Sequence, residues 1–246
     1  MIRAIATVRE AGASRLVLEV AGWPGHRPGQ FAMLGLDPAR LRRDPLLPRP
    51  MAIYRGDASA LEFRFKVVGR GTRIMAELVP GAKLSLLGPL GNGFELPAGP
   101  ATLVGGGSGI ASLYELARVA RPAPRVLLGG RTGADILGLA DFEALGLELG
   151  VATDDGSLGQ RGLVTDLLAP RAGETVYACG PLAMMQRAHE LAAAADARCR
   201  VSLESPMACG FGACLGCAVK TPAGFRYACT HGPVFDAASL GWEASS

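Results

Sequence analysis

Ala101-Thr102-Leu103-Val104-Gly105-Gly106-Gly107-Ser108-Gly109-Ile110-Ala111 is the stretch that decides the fold. A short apolar run meets a glycine-rich turn, and helix-compatible residues follow. That order predicts a buried strand, a tight turn and a helix. Glycines let backbone amides approach phosphates, and a helix N-terminus favours anions. Gly105, Gly106, Gly107, Ser108 and Gly109 are therefore candidates for binding a pyrophosphate. The spacing is not G-x-G-x-x-G, so a ligand-free turn is the competing reading.

C-terminal to this turn the pattern repeats. Strands are expected at Ala101–Val104, Arg125–Leu128, Leu147–Ala152, Thr175–Ala178 and Arg200–Leu203. Helices are expected at Ile110–Ala120, Leu139–Leu145, Leu163–Leu168 and Leu182–Ala195. This alternation predicts a parallel sheet covered by helices. Cys179-Gly180-Pro181 ends one strand, where ligands bind in open α/β sheets. Cys179 and Gly180 are candidates on that ground, and a buried cysteine before a Gly-Pro turn is the alternative.

N-terminal to the turn, Pro97-Ala98-Gly99-Pro100 reads as a linker. Residues 1–98 are rich in short strands. Leu61-Glu62-Phe63-Arg64-Phe65-Lys66-Val67 alternates apolar and charged side chains, implying one buried and one polar face. Further strands are expected at Ile2–Arg9, Arg15–Ala21, Gln30–Leu36, Met51–Tyr54 and Lys83–Leu87. Six strands at this spacing suggest a small antiparallel barrel, with a helix at Thr72–Leu78. Arg49-Pro50-Met51-Ala52 offers an arginine that can pair with a phosphate, and Gly69-Arg70-Gly71-Thr72 bare amides and a hydroxyl at a helix start; a proline-marked strand entry and a capped helix are the competing reading.

The third region is dense in cysteine. Cys209, Cys214, Cys217 and Cys229 follow C-x4-C-x2-C and then a later cysteine, the plant-type [2Fe–2S] spacing. Gly210, Gly212, Ala213 and Gly216 are small enough for a loop to wrap a cluster. Zinc and disulfides are the alternatives; zinc usually takes two short hooks, and disulfides are rare in the cytosol. Cys199 reads as a core residue. His26, His189 and His231 form no metal spacing, and no Ser/His/Asp set or carboxylate pair points to hydrolysis.

The 246 residues allow one large or two modest domains, and 49% hydrophobic residues can bury a core. Glycine, at 34 residues, is about twice its usual ~7% share, pointing to tight turns. A net charge of +3 is too balanced for a nucleic-acid footprint. The uncharged stretch Leu96–Tyr114 is interrupted by prolines and glycines, so no membrane span is expected. The start has no long apolar core, so a cytoplasmic protein is expected.

Arg-Pro-x-x-Ile, Gly-x-Gly-Thr, Gly-Gly-Gly-Ser-Gly, Cys-Gly-Pro and the cysteine tail occur in one order. That order resembles the ferredoxin–NADP⁺ reductase superfamily. Met207–Cys217, with Gly232-Pro233-Val234-Phe235, is similar to one family within it, the electron-transfer subunits of class 1B dihydroorotate dehydrogenase. The resemblance implies an FAD-binding barrel over residues 1–98, a Rossmann-like NAD-binding α/β domain over 99–204 and a [2Fe–2S] module over 205–246.

It also implies roles. Arg49, Pro50, Met51 and Ala52 would line the flavin, with Arg49 toward the pyrophosphate. Arg64, Phe65 and Lys66 match the strand that meets the flavin, and Gly71 and Thr72 its phosphate turn. Cys209, Cys214, Cys217 and Cys229 match the iron ligands. The family's usual serine is Ala52 here. Arg131, after the second α/β strand, stands where it could touch the adenosine ribose. The implied partner is an FMN-bearing catalytic subunit in a heterotetramer, with NAD⁺ as acceptor. A sibling reductase serving another donor (a sulfhydrogenase or a ferredoxin-linked transhydrogenase) is the alternative. A zinc-binding interaction module is the rival from another class.

Overall fold

The computed structural model describes residues 1–36 and 45–242. Its first half is a curved sheet of β1 (Ile2–Gly12), β2 (Arg15–Glu19), β3 (Phe31–Gly35), β4 (Arg49–Ala52), β5 (Arg55–Gly56), β6 (Ala60–Arg64) and β7 (Lys83–Leu90), with α1 (Arg70–Ala76) between the last two. Strand order is β4-β3-β7-β1-β2-β6-β5, antiparallel throughout. The open ends approach each other: Tyr54 N–H, two residues past β4, donates to Glu62 O at 3.0 Å. This is the barrel the alternation predicts, with β5 as one strand more than expected. Leu16, Leu18, Leu34, Leu61, Phe63 and Leu86 fill its interior.

One expectation needs correcting here. Glu62 belongs to the polar set of the alternation, yet it is only 4% exposed. Arg15, Arg55 and Arg64 surround its carboxylate at 2.8–2.9 Å. Three cations make burial of one anion tolerable. The polar face of β6 is an internal boundary, not a solvent face.

The second half contains β8 (Ala101–Gly106), α2 (Tyr114–Val119), β9 (Arg125–Gly130), α3 (Leu139–Glu143), β10 (Leu149–Thr153), β11 (Gln160–Arg161), β12 (Thr175–Cys179), α4 (Leu182–Ala194) and β13 (Arg198–Ser202). These strands form a parallel sheet ordered β11-β10-β9-β8-β12-β13. Two expected helices differ. The one expected at Ile110–Ala120 is a 3₁₀ turn at Gly107–Ser112 followed by α2. Gly109 is pressed against the Cys179–Gly180 backbone, where a Cβ would stand 2.4 Å from the Cys179 carbonyl. That contact holds the chain in a tighter turn. The one expected at Leu163–Leu168 is a 3₁₀ turn, Val164–Leu167.

The cysteine-rich tail forms a hairpin, β14 (Ala218–Thr221) with β15 (Gly224–Tyr227), and then β16 (Val234–Asp236). β16 pairs antiparallel with β13, so a strand from beyond residue 205 completes the α/β sheet. The same segment packs on the barrel: Phe31, Met33 and Leu90 share a core with Cys217, Ala228, Cys229 and Phe235. No helix among the described residues is long and apolar enough to cross a membrane.

Candidate active site and cysteine cradle

The barrel and the α/β half enclose a cavity of about 440 Å³, a volume usual for ligand sites. Arg49, Pro50, Met51, Ala52, Arg64, Phe65, Lys66 and Thr72 line it from the barrel, and Ser108 from the glycine turn. Motifs separated by up to sixty residues thus converge on one wall. Gly71 stands behind Arg49, where a Cβ would lie 2.4 Å from the guanidinium Nε. Glycine at 71 is what admits the arginine. The Thr72 hydroxyl accepts from the Val68 and Gly69 N–H groups at 3.0 and 3.2 Å, closing the turn before α1.

The remaining candidates stand behind the wall. Gly105, Gly106, Gly107, Gly109, Cys179 and Gly180 do not line the cavity. A Cβ on Gly106 would lie 2.6 Å from Met184 Sδ, and one on Gly180 2.8 Å from Gly106 O. Close packing of this turn against Cys179-Gly180-Pro181 therefore accounts for much of its glycine. Cys179 is fully buried. Burial pushes its thiol up to about 12, against hydrogen bonds with Ser112 and Ser202. Arg131 is exposed and pairs with Asp135 at 3.4 Å. The Asp155 carboxylate accepts from Ser157 N–H and Oγ at 2.9 and 2.7 Å, a turn contact.

Sequence reading missed the opposite wall, Ser202 to Met207. The usable signal was its place just past the carboxyl end of β13, where open α/β sheets bind ligands. Ser108 Oγ donates to Glu204 there at 3.1 Å. Thr72, Ser108, Ser112, Ser202 and Ser205 are among the residues that line the cavity, whereas position 52 carries no hydroxyl.

Two residues beyond this wall the cysteines begin. Met207 lines the cavity, and Cα atoms two residues apart lie at most about 7.6 Å from each other. The four thiols stand two by two. Cys217 Sγ is 3.2 Å from Cys229 Sγ. Cys209 accepts hydrogen bonds from the Cys214 thiol and from Cys214 N–H, the latter at 3.4 Å. Among the described residues no three of His, Cys, Asp and Glu gather round a point suited to one ion.

Burial raises the Cys209 thiol, but N–H groups of Phe211, Cys214 and Ala213 and the Cys214 thiol outweigh it and bring it down to about 6. Burial and Cys217 push Cys229 up to about 11. Gly210, at φ +81°, lets the loop lie on the barrel, since a Cβ there would meet Met33 Cγ at 2.5 Å. Inward backbone donors and paired sulfurs are what a two-iron cluster asks of its loop, two cysteines to each iron. All six cysteines are free thiols.

The class that fits this fold and cradle is a ferredoxin–NADP⁺ reductase-type oxidoreductase with an iron–sulfur arm. Residues 204–241 match the iron-sulfur cluster binding domain of dihydroorotate dehydrogenase B. The chain belongs to the family of dihydroorotate dehydrogenase B (NAD(+)) electron transfer subunits. It is 37% identical over 212 residues to the subunit of Clostridium acetobutylicum, covering 85% of this chain and 84% of that one. It is 38% identical to that of Caldanaerobacter subterraneus subsp. tengcongensis, covering 87% of each. Among solved structures, the NADH-dependent reduced ferredoxin-NADP oxidoreductase, described for flavin-based electron bifurcation, superposes with a TM-score of 0.82 at 27% identity. That match covers 98% of this chain and 90% of the other. The ferredoxin reductase of carbazole 1,9a-dioxygenase shares the fold, with a TM-score of 0.64 at 20% identity over 80% of this chain and 66% of that one.

Proposed function

We infer that this chain carries electrons from dihydroorotate, oxidised on the FMN of a catalytic partner subunit, to NAD⁺, using a [2Fe–2S] cluster and FAD. Dihydroorotate gives up two electrons and two protons; NAD⁺ takes two electrons and one proton, and one proton is released. The flavin supplies the exchange between one-electron and hydride transfer, and the chain's task is to place and tune its cofactors.

In this reading Arg49 pairs with the flavin pyrophosphate, helped by the turn at Gly71 and Thr72. Pro50, Met51 and Ala52 form one wall of the flavin site, and Arg64, Phe65 and Lys66 the next. Cys209, Cys214, Cys217 and Cys229 hold the iron. The Gly105–Gly109 turn, with Cys179-Gly180 behind it, shapes the nicotinamide side. The chain then has three working parts, residues 1–98, 99–204 and 205–246. The observation that carries the reading is the run from Met207 on the cavity wall to Cys209 in the cradle. Electron transfer needs such closeness.

The partner's seat is assigned to a second cleft beside Cys209, about 670 Å³, lined by Ile5, Met33, Leu46, Leu47 and Phe211. Leu46 is 78% and Leu215 51% exposed, an apolar surface of the kind partners cover. By family resemblance the assembly is a heterotetramer, two of each subunit, in the cytoplasm.

The test is dihydroorotate-dependent NAD⁺ reduction by this chain co-purified with a type-B catalytic subunit. Activity that needs both chains is the expected result. Its absence, in a preparation that retains flavin and iron and oxidises NADH with an artificial acceptor, would favour a sibling reductase with another donor. The likeness to the reduced ferredoxin-NADP oxidoreductase is the observation on that side.

A further inference from the structure

The two halves that enclose the cavity are tied by ion pairs on the very chain segments that wall it. Arg64 ends β6, and Phe65 N–H continues the ladder to Ser14 O at 3.1 Å. Arg64 and Lys66 therefore leave the same face of an extended chain. Arg64 reaches Asp141 Oδ2 at 2.8 Å, and Lys66 pairs with Asp135. Both acids belong to the connection between β9 and β10, Asp141 on α3 and Asp135 in the 3₁₀ turn before it.

Asp141 holds two further barrel groups. The Tyr54 hydroxyl donates to it at 3.0 Å, and Arg55 lies at 3.2 Å. Tyr54 is fully buried and stacks on Tyr114 of α2, with ring centroids 4.2 Å apart. Gly138, at φ +70°, admits the hydroxyl; a Cβ there would lie 2.3 Å from it. Tyr54 follows Ala52 by two residues, so the other flavin-side strand is tied as well.

We propose that Asp135 and Asp141 are positioning residues for hydride transfer, setting how far the flavin-lining strands stand from the carboxyl edge of the parallel sheet. The proposal rests on the reading of the cavity as the flavin site. One tie would leave a rotation free; two ties on alternate residues fix distance and angle together. Neither carboxylate lines the cavity, so both act through geometry alone. Removing Asp135 takes the carboxylate from Lys66, and removing Asp141 leaves Arg55 and Arg64 to Glu62 on the barrel side alone, so each loss unties the barrel from the α/β half.

The experiment uses the complex with its cofactors loaded and compares Asp135→Asn, Asp141→Asn, the double variant and Asp141→Glu. It measures flavin content, the limiting rate and saturation of flavin reduction by NADH in single turnovers, and hydrogen exchange at residues 52–54 and 114. In the double variant the limiting rate should fall at least ~10-fold, since a misplacement of ~1 Å can cost ~10²-fold. Flavin content should hold, because Arg49 and the Gly71–Thr72 turn keep their contacts, and exchange at 52–54 should rise; a change in NADH saturation alone, with the limiting rate kept, would trace to Arg131, the other partner of Asp135, and overturn the proposal. Asp141→Glu should recover part of the rate. A wild-type limiting rate in the double variant, with or without lost stability, overturns the proposal. If the double variant does not fold, the two single Asn variants decide, and unchanged rate and exchange in both also overturn it. Wild-type protein that binds no flavin would defeat the cavity reading itself, a result distinct from any outcome with the aspartate variants.

Discussion

The α/β half and the cysteine module both pack apolar side chains on the strand barrel, but the α/β seam adds a set of paired charges. Arg64–Asp141, Lys66–Asp135, Arg55–Asp141 and the Tyr54–Tyr114 stack join the barrel to the α/β half. Phe31, Met33 and Leu90, packed on Cys217, Ala228 and Cys229, join it to the cysteine module. The chief side-chain polar link there is Asn92, which donates to His231 O and Val234 O and accepts from Val234 N–H at 2.8–3.1 Å. Apolar packing is non-directional and tolerates no gap, so it fixes a separation. Paired charges are directional and depend on every partner being present. The cradle thus sits at a set distance from the cavity, while the α/β half is held by contacts that fix its orientation.

Four predictions test this contrast, in falling order of effect. Cys214→Ser removes a thiol that, in the proposed reading, holds iron in the cradle. Coupled NAD⁺ reduction by dihydroorotate should fall to background, while NADH oxidation with an artificial acceptor persists. Iron content and the two assays, run on one preparation, check this, and retained coupling would break the division of labour between cavity and cradle.

Leu215→Glu places a charge on the exposed rim of the cradle. Leu215 already has φ +58°, a conformation no more costly for glutamate. Assembly with the catalytic subunit should weaken by about 10- to 100-fold, roughly 1.4–2.8 kcal/mol. Co-elution and titration measure it, and normal co-elution would move the partner's seat elsewhere.

Gly109→Ala forces a Cβ to 2.4 Å from the Cys179 backbone. A loss of about 1–3 kcal/mol is expected in denaturant unfolding. Gly99→Ala, with nothing within 4 Å, should stay within ~0.5 kcal/mol. Equal effects would remove the packing account of the glycine turn.

The smallest effect is acid-linked. The hydrogen bond from Lys66 holds the Asp135 carboxyl below its ordinary value of 3.8. A depressed value means the tie stabilises fully above that ordinary value and is lost as pH falls through the lower, folded one. The difference in Tm between wild type and Asp135→Asn should therefore be constant near neutrality and shrink toward zero below about pH 4. A difference that grows in acid would have the wrong sign for this tie.

Much of this was legible in the chain because it is local. Period-two alternation in residues 61–67 marks a strand, and the glycine turn at 105–109 marks a strand edge. The spacing of Cys209, Cys214 and Cys217 announces one loop around one group, because three ligands within nine residues must share it. Nothing local distinguishes Glu62 from any solvent-facing acid of an alternating strand; only the meeting with Arg15, Arg55 and Arg64 buries it. β16 is three residues long and became part of the parallel sheet only because β13 offered a free edge.

By itself, then, the sequence determined the two kinds of sheet and the cysteine loop, since each depends on neighbours along the chain, while the barrel residues at the cavity were implied by the family resemblance. The tertiary structure decided which charges lie between the two sheets, that residues 202–207 complete the cavity wall, and that the cradle begins two residues from it. Arg64 and Asp141 are 77 residues apart. A pair so distant is set by how two finished sheets pack, and no spacing in the chain encodes it.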